Sequence, residues 1–95
     1  MFIVLLRFAE NRGAAAQHMA GHQAWIRQGL EDGVFLLTGS IQPGLGGVVP
    51  AHGMDRAGAE RRVAADPFVA ERVVEAEIIE VAPGMADKRL DFLLS

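Results

Sequence analysis

The chain opens with an uninterrupted apolar segment. Residues 2–8 read Phe-Ile-Val-Leu-Leu-Arg-Phe, a short run of strand-forming residues that predicts a β-strand. The even-numbered positions of this segment are all apolar, and so are Ile3 and Leu5 between them. Because apolar side chains point to both sides of such a strand, we expect both of its faces to be covered.

A helical pattern follows the turn signal at residues 11–13 and predicts a helix from about Ala14 to Asp32, which Gly33 ends. Six residues fall on one stripe at helical spacing: Ala15, Met19, His22, Gln23, Ile26 and Leu30. His22 lies at one edge of this stripe, flanked by His18 and Trp25 on the helical wheel. We therefore expect His22 to lie half in the core and half beside a cleft.

The remaining elements are shorter and are separated by clear turn signals. Asp55 is a candidate N-cap for the second helix, and Asp66 followed by Pro67 is typical of an N-cap with proline at the first helical position. The predicted elements are strands at residues 34–41, 47–52 and 73–81, a helix at 56–65 and a short helical turn through residues 68–70.

The element order is β-α-β-β-α-β, which predicts an α+β, ferredoxin-like fold with an antiparallel sheet and both helices on one face. The second face also has apolar positions that two helices do not cover, so we expect a two-fold homodimer through that face. We assign residues 1–82 to this domain. Residues 83–95 form an apolar tail that we expect to pack on the domain or on the partner.

Composition restricts the classes of function. A chain of 95 residues with 51% hydrophobic and 22% charged residues is one small globular domain, and without cysteine it has no disulfide or thiolate metal site. A net charge of −3 with scattered basic residues argues against nucleic-acid binding. No apolar run is long enough to cross a membrane, and the apolar start lacks signal-peptide features. We expect a cytoplasmic protein.

Several short motifs, taken in order, resemble the YCII-related (YciI-like) proteins. They are His22-Gln23-Ala24-Trp25-Ile26, then Gly33-Val34, then Leu37-Thr38-Gly39-Ser40, and finally the box Asp66-Pro67-Phe68-Val69. The resemblance covers about residues 1–82 and implies a dimeric ferredoxin-like α/β barrel with a His and an Asp in its active site, here His22 and Asp66. The chain departs from the family at Gly39-Ser40, where Gly-Pro is common, and in its tail.

His22 and Asp66 form a candidate acid/base dyad. Imidazole exchanges protons near neutral pH, and a carboxylate on one ring nitrogen leaves the other nitrogen for a substrate proton. Two structural alternatives remain: a histidine beside an apolar stripe is usually part of the core, and an Asp before Pro is usually a helix cap. Asp66 is able both to cap the helix and to accept a hydrogen bond from His22, because a cap uses only one or two of its acceptor positions.

Four further residues are candidates for substrate binding. Trp25 and Phe68 are expected to wall a pocket for a flat molecule, Ser40 to hydrogen-bond it, and His18 to lie at the cleft mouth. Plain packing is the alternative for the aromatic residues. His18 and His22 have the spacing of a zinc pair, but a third ligand would have to be His52 or Asp66, so we expect no metal. Without a nucleotide-binding glycine motif, no cofactor is expected.

Two functions are compatible with these features. The first is a small isomerase- or lyase-type enzyme that uses His22 and Asp66 to transfer protons on a small, cyclic or aromatic metabolite. The alternative is a non-catalytic module that binds a small molecule or serves a larger enzyme, acting as a dimer.

Overall fold

Four strands and three helices follow one another in the predicted order. The structure, a computed structural model, describes all 95 residues. The elements are β1 (Phe2–Phe8), α1 (Ala15–Glu31), β2 (Gly39–Ile41), β3 (Gly46–Ala51), α2 (Arg56–Ala64), α3 (Pro67–Ala70) and β4 (Val74–Glu80), with 3₁₀ segments at Arg12–Ala14 and Lys88–Leu94.

The strands form one antiparallel sheet in the order β2-β3-β1-β4. The first strand lies inside the sheet, between β3 and β4, and pairs with β4 along its whole length from Phe2 to Phe8. This order, with the helices in the β-α-β-β-α-β connections, is the ferredoxin-like arrangement, so the predicted fold is confirmed.

The core lies between the helices and one face of the sheet. Phe2, Val4 and Leu6 of β1 are each at most 4% exposed, whereas the odd-numbered Ile3 and Leu5 are only partly buried. This alternation follows from the two-residue period of a strand. The core cluster consists of Val4, Leu6, Trp25, Phe35, Val49, Ala51, Val63, Phe68, Val73 and Val74.

The other face of the sheet also carries apolar side chains. Ile3 lies opposite Pro50 on one neighbouring strand and opposite Ile79 on the other, and Leu5 lies opposite Val48. Ile79 is 41% exposed, so this face keeps apolar surface in contact with solvent. Here we define it as the open sheet face.

The second strand is shorter than predicted. We expected a strand at residues 34–41, but the ladder covers only Gly39–Ile41, with an isolated bridge between Phe35 and Ala51. Pro50 accepts a hydrogen bond from the N–H of Leu36 but has no N–H to return, so regular pairing is interrupted there. The register also shifts by one residue between the bridge and the Gly39–Val48 pair, which breaks the strand.

The ends of the first two helices follow the sequence signals. Gly33 adopts a φ of 74°, a left-handed conformation that suits glycine and ends α1 one residue before the predicted boundary. Asp55 caps α2 by accepting a hydrogen bond from the N–H of Gly58 at 2.7 Å. None of the helices is both long enough and apolar enough to cross a membrane.

The C-terminal tail contacts the domain through an aromatic pair. The Phe92 ring meets His52 edge to face, with ring centroids 5.1 Å apart. Leu90, Phe92 and Leu94 each remain more than 40% exposed, and Met85 is almost fully exposed. The boundary between residues 82 and 83 and a contact of this tail with a partner stay predictions.

Candidate active site

The fold brings His22 and Asp66 together although they are 44 positions apart. Nδ1 of His22, on α1, donates a hydrogen bond to Oδ1 of Asp66 over 2.8 Å. The Asp66 side chain is completely buried and the His22 side chain is 14% exposed. A carboxylate only accepts hydrogen bonds, so the pair fixes the proton of a neutral His22 on Nδ1. The second nitrogen, Nε2, then carries the lone pair of a base.

Asp66 is also the N-cap of α3, as its position before Pro67 predicts. Its Oδ1 atom accepts a second hydrogen bond, from the N–H of Phe68 at 3.0 Å. The cap and the contact with His22 therefore share one oxygen. The other oxygen, Oδ2, is buried and has no hydrogen-bond partner. His22 is consequently the only side chain that hydrogen-bonds to this buried carboxylate.

Aromatic stacking holds the His22 ring in place. The ring lies parallel to Phe68, with centroids 4.0 Å apart and planes 4° apart, and Trp25 stacks nearby at 6.0 Å. Trp25 meets Phe35 edge to face at 4.8 Å and donates its indole N–H to the Arg62 carbonyl at 2.8 Å. We define the aromatic column as Phe68, His22, Trp25 and Phe35. It restricts rotation of His22 on one side while Asp66 fixes its Nδ1 edge.

Gly29 makes room for the far end of the aromatic column. A Cβ atom at this position would overlap the ring of Phe35, including its first ring carbon. The absence of a side chain at Gly29 thus lets Phe35 approach the backbone of α1. The position of Phe35 in turn supports Trp25, the next member of the column.

His22 lines a cavity of about 410 Å³ between α1 and the sheet. This volume lies within the range of small-molecule sites. The residues that line it are Met19, His22, Gln23 and Ile26 of α1, Leu6 and Phe8 of β1, Thr38, Gly39 and Ser40 at β2, Gly46 to Val49 of β3, and Phe68 and Val74. The lining contains no Asp, Glu, Lys or Arg side chain.

The structure separates the four predicted substrate-binding residues into two pairs. Ser40 and Phe68 line the cavity with His22. Trp25 instead borders a shallower depression of about 570 Å³ with Arg61 and Arg62, and His18 is partly buried on α1 but does not line the cavity. Substrate binding by His18 and Trp25 stays a prediction, and the lining of the cavity gives it no support.

Sequence reasoning missed two polar residues of the cavity, Gln23 and Thr38. Gln23 had a signal, because it is a polar residue within the predicted apolar stripe of the first helix. Thr38 also had a signal, because it belongs to the motif Leu37-Thr38-Gly39-Ser40 and its two-residue spacing from Ser40 puts both side chains on one face of a strand. The side chains of Gln23 and Thr38 are exposed and form no hydrogen bond within the protein.

On the β3 side the cavity is lined by backbone without side chains, because Gly46 and Gly47 lie there. A side chain at Gly46, which has a φ of 139°, would collide with the carbonyl of Leu6. Gly47 pairs with Leu6 and Ser40 in the sheet, so a side chain there would point to the helical side. The glycine-rich turn predicted from the sequence therefore also shapes the cavity.

The zinc arrangement considered for His18 and His22 has no third ligand. The structure contains no group of three or more His, Asp or Glu side chains arranged to hold a metal ion. His52, one of the two candidates for completing such a set, hydrogen-bonds through Nε2 to the carbonyl of Gly33 at 2.9 Å. Asp66, the other candidate, contacts His22 and the backbone of α3 as described above.

Comparisons with known proteins support the fold. The sequence matches no protein-family model and no curated protein sequence. The structure is similar to that of 5-chloro-2-hydroxyhydroquinone dehydrochlorinase from Burkholderia phenoliruptrix AC1100, solved in complex with 2,5-dihydroxybenzoquinone. The similarity has a TM-score of 0.69 and 12% sequence identity and covers 88% of this chain and 96% of that chain. At this identity the likeness shows that the two proteins share a fold.

Proposed function

We propose that this protein is a YCII-like enzyme that transfers protons on a small, cyclic or aromatic metabolite in an isomerase- or lyase-type reaction. The observation that carries the proposal is the 2.8 Å hydrogen bond from His22 to the buried Asp66 at the wall of a cavity. The dehydrochlorinase of similar fold, which was solved with a quinone, supports a ring-shaped ligand and an elimination-type reaction.

In this proposal His22 acts as the general base and then as the general acid. Nε2 takes a proton from a carbon or hydroxyl of the ligand, and Asp66 stabilises the imidazolium through Nδ1. Return of the proton to a different ligand atom gives an isomer. Loss of a leaving group from the ligand anion gives an elimination product, and the proton then passes to solvent. Both outcomes conserve electrons without a redox partner.

The test uses proton exchange, which is detectable before the complete reaction has been identified. The protein is incubated in D₂O with substituted hydroquinones and unsaturated lactones, and deuterium uptake is followed by proton NMR. Chloride release from 5-chloro-2-hydroxyhydroquinone is measured in parallel. On any compound that responds, His22→Gln is expected to lower the rate about 10²–10⁴-fold, the usual contribution of a general acid/base.

The controls separate chemistry from folding. Circular dichroism should show that His22→Gln remains folded, and Arg27→Gln on the same helix should keep the wild-type rate, since Arg27 is exposed and does not line the cavity. A responsive compound on which His22→Gln stays fully active would contradict the proposal. A ligand that binds beside His22 and is recovered unchanged would favour the alternative, a non-catalytic binding or accessory module.

We also propose that two copies of the chain associate through the open sheet face. Ile3, Leu5 and Ile79 place apolar surface on this face, and the Arg7–Glu77 ion pair on the same face, 2.7 Å long, gives it charges of both signs. A two-fold dimer buries identical patches against each other. Light scattering is expected to give twice the chain mass of 10.2 kDa. Leu5→Glu should return it to the monomer mass, and a wild-type monomer would contradict the dimer.

A further inference from the structure

Apart from His22 itself, the cavity has no side chain that could neutralise an anionic ligand. Its lining lacks Lys and Arg, and the carboxylate in direct contact with His22 is that of Asp66. Arg12 lies over the Phe8 ring at 4.3 Å but does not line the cavity. While His22 is neutral, as a base must be, a carboxylate or phosphate entering this space would lose water without gaining a cation, which is costly.

Three polar side chains stand in the same cavity without a partner in the protein. Gln23 projects from α1 directly after His22 in sequence, whereas Thr38 and Ser40 come from β2 and the residue before it. All three are exposed, and none forms a hydrogen bond within the chain. We define Gln23, Thr38 and Ser40 as the polar rim. Together they offer amide and hydroxyl groups that both donate and accept hydrogen bonds.

Most other side chains that line the cavity are apolar. They include Leu6, Ile26, Val49 and Phe68, and the Phe68 ring lies parallel to the His22 ring. Gly47 adds no side chain beside Ser40, with which it pairs in the sheet. The cavity thus combines apolar walls with hydrogen-bonding groups, which suits a ring with polar substituents.

We infer that the cavity selects an uncharged ring molecule with hydrogen-bonding groups on two edges, and that the polar rim determines this selectivity. One edge of the ring meets Nε2 of His22 and another meets Gln23, Thr38 or Ser40. The inference rests on the proposed function in that it uses the same cavity, but it concerns binding and not turnover.

Two probes of the same shape and different charge test this inference. Resorcinol is an uncharged ring with two hydroxyls, and 3,5-dihydroxybenzoate is the same ring with an added carboxylate. Binding of each is measured by calorimetry near neutral pH. Resorcinol is expected to bind at least about tenfold more tightly, because the carboxylate meets no Lys or Arg in the cavity and neutral His22 does not compensate its charge.

Variants of the polar rim sharpen the test. Gln23→Leu and Thr38→Val keep the approximate size of the side chain and remove its hydrogen bonds, so each should weaken resorcinol binding about three- to tenfold. Gln17→Leu is the matched control, since Gln17 is an exposed glutamine on α1 that does not line the cavity. It is expected to leave resorcinol binding unchanged.

The outcomes distinguish this inference from the proposed function. Failure of resorcinol to bind, equal binding of the benzoate, or rim variants that behave like Gln17→Leu would each overturn the inference, even if His22→Gln abolished turnover. Selective binding of resorcinol that weakens in the rim variants would support it, even if no compound were ever turned over. In that case the proposed enzyme activity would fail while the inference stood.

Discussion

The two long edges of α1 differ in what they contact. Its packed edge, made of His22, Trp25 and Gly29, is held by aromatic stacking and by hydrogen bonds to neighbouring elements. Its cavity edge is more exposed. Met19, Gln23 and Ile26 line the cavity and Leu30 follows Ile26 one turn later, and Met19 is 38% and Leu30 is 43% exposed. One edge of the helix therefore holds His22 in place, and the other edge borders the cavity. His22 stands where the two edges meet.

This difference corrects the sequence interpretation of α1. The apolar stripe predicted from helical spacing contains the whole cavity edge, and such a stripe is usually the one that packs most tightly. Here the tightly packed positions are Trp25 and Gly29, which are the only buried residues of the helix. On α1 the apolar stripe therefore borders the cavity, and the tightest packing lies beside it.

Replacing Asp66 should disturb the packed edge most. Asp66→Ala removes the cap of α3 and leaves the buried Nδ1–H of His22 without an acceptor, so the free energy of unfolding should fall by about 2–4 kcal/mol in urea titrations. Asp66→Asn keeps an oxygen that accepts both hydrogen bonds. Its loss in free energy of unfolding should therefore be less than about half the loss caused by Asp66→Ala. Equal losses in the two variants would show that charge, and not hydrogen bonding, holds this edge.

Gly29→Ala tests the far end of the aromatic column. The added methyl overlaps the buried Phe35 ring, and overpacking of this kind lowers the free energy of unfolding by about 1–3 kcal/mol. Leu30→Ala, on the cavity edge, should change it by less than about 1 kcal/mol because the side chain is already 43% exposed. Urea titrations that gave the same loss in free energy of unfolding for both variants would contradict the difference between the two edges.

The smallest expected effect lies at the C-terminal end of α1. A hydrogen bond from Gln28, followed by one from Arg62 of α2, holds the pKa of Asp32 below its usual value of 3.8. The resulting stability is present above the unfolded-state pKa and is lost as pH falls through the folded-state pKa. Asp32→Asn should therefore melt slightly below wild type at neutral pH. The two melting temperatures should converge in acid, and a gap that persisted there would exclude this linkage.

The sequence was sufficient for the elements that periodicity determines. The first strand has the predicted bounds of Phe2 and Phe8, and the caps at Asp55 and Asp66 form as the residue types predict. These features depend on local pattern and on short-range hydrogen bonds. The β-α-β-β-α-β order then restricted the topology enough for the sheet order to follow.

The remaining features depend on contacts between distant residues. The strand β2 lacks its predicted first residues because Pro50, on the neighbouring strand β3, has no N–H to contribute to the ladder. The sequence of residues 34–38 alone does not show this effect. The distance between His22 and Asp66 follows from the packing of α3 against α1 and is not encoded in either segment. Trp25 was expected to wall a pocket for a flat molecule, whereas in the structure its indole contacts the Phe35 ring and the backbone carbonyl of Arg62.

The single tryptophan also gives the unlabelled protein a fluorescence signal from one known position. The chain contains one Trp and no Tyr, so its intrinsic fluorescence on long-wavelength excitation comes from Trp25 alone. That indole stands 6.0 Å from the His22 ring, centroid to centroid. Its emission therefore depends on the packing of the aromatic column in which it stands. A ligand titration of the unlabelled wild-type chain, with His22→Gln as the reference, follows binding beside His22 without an attached dye.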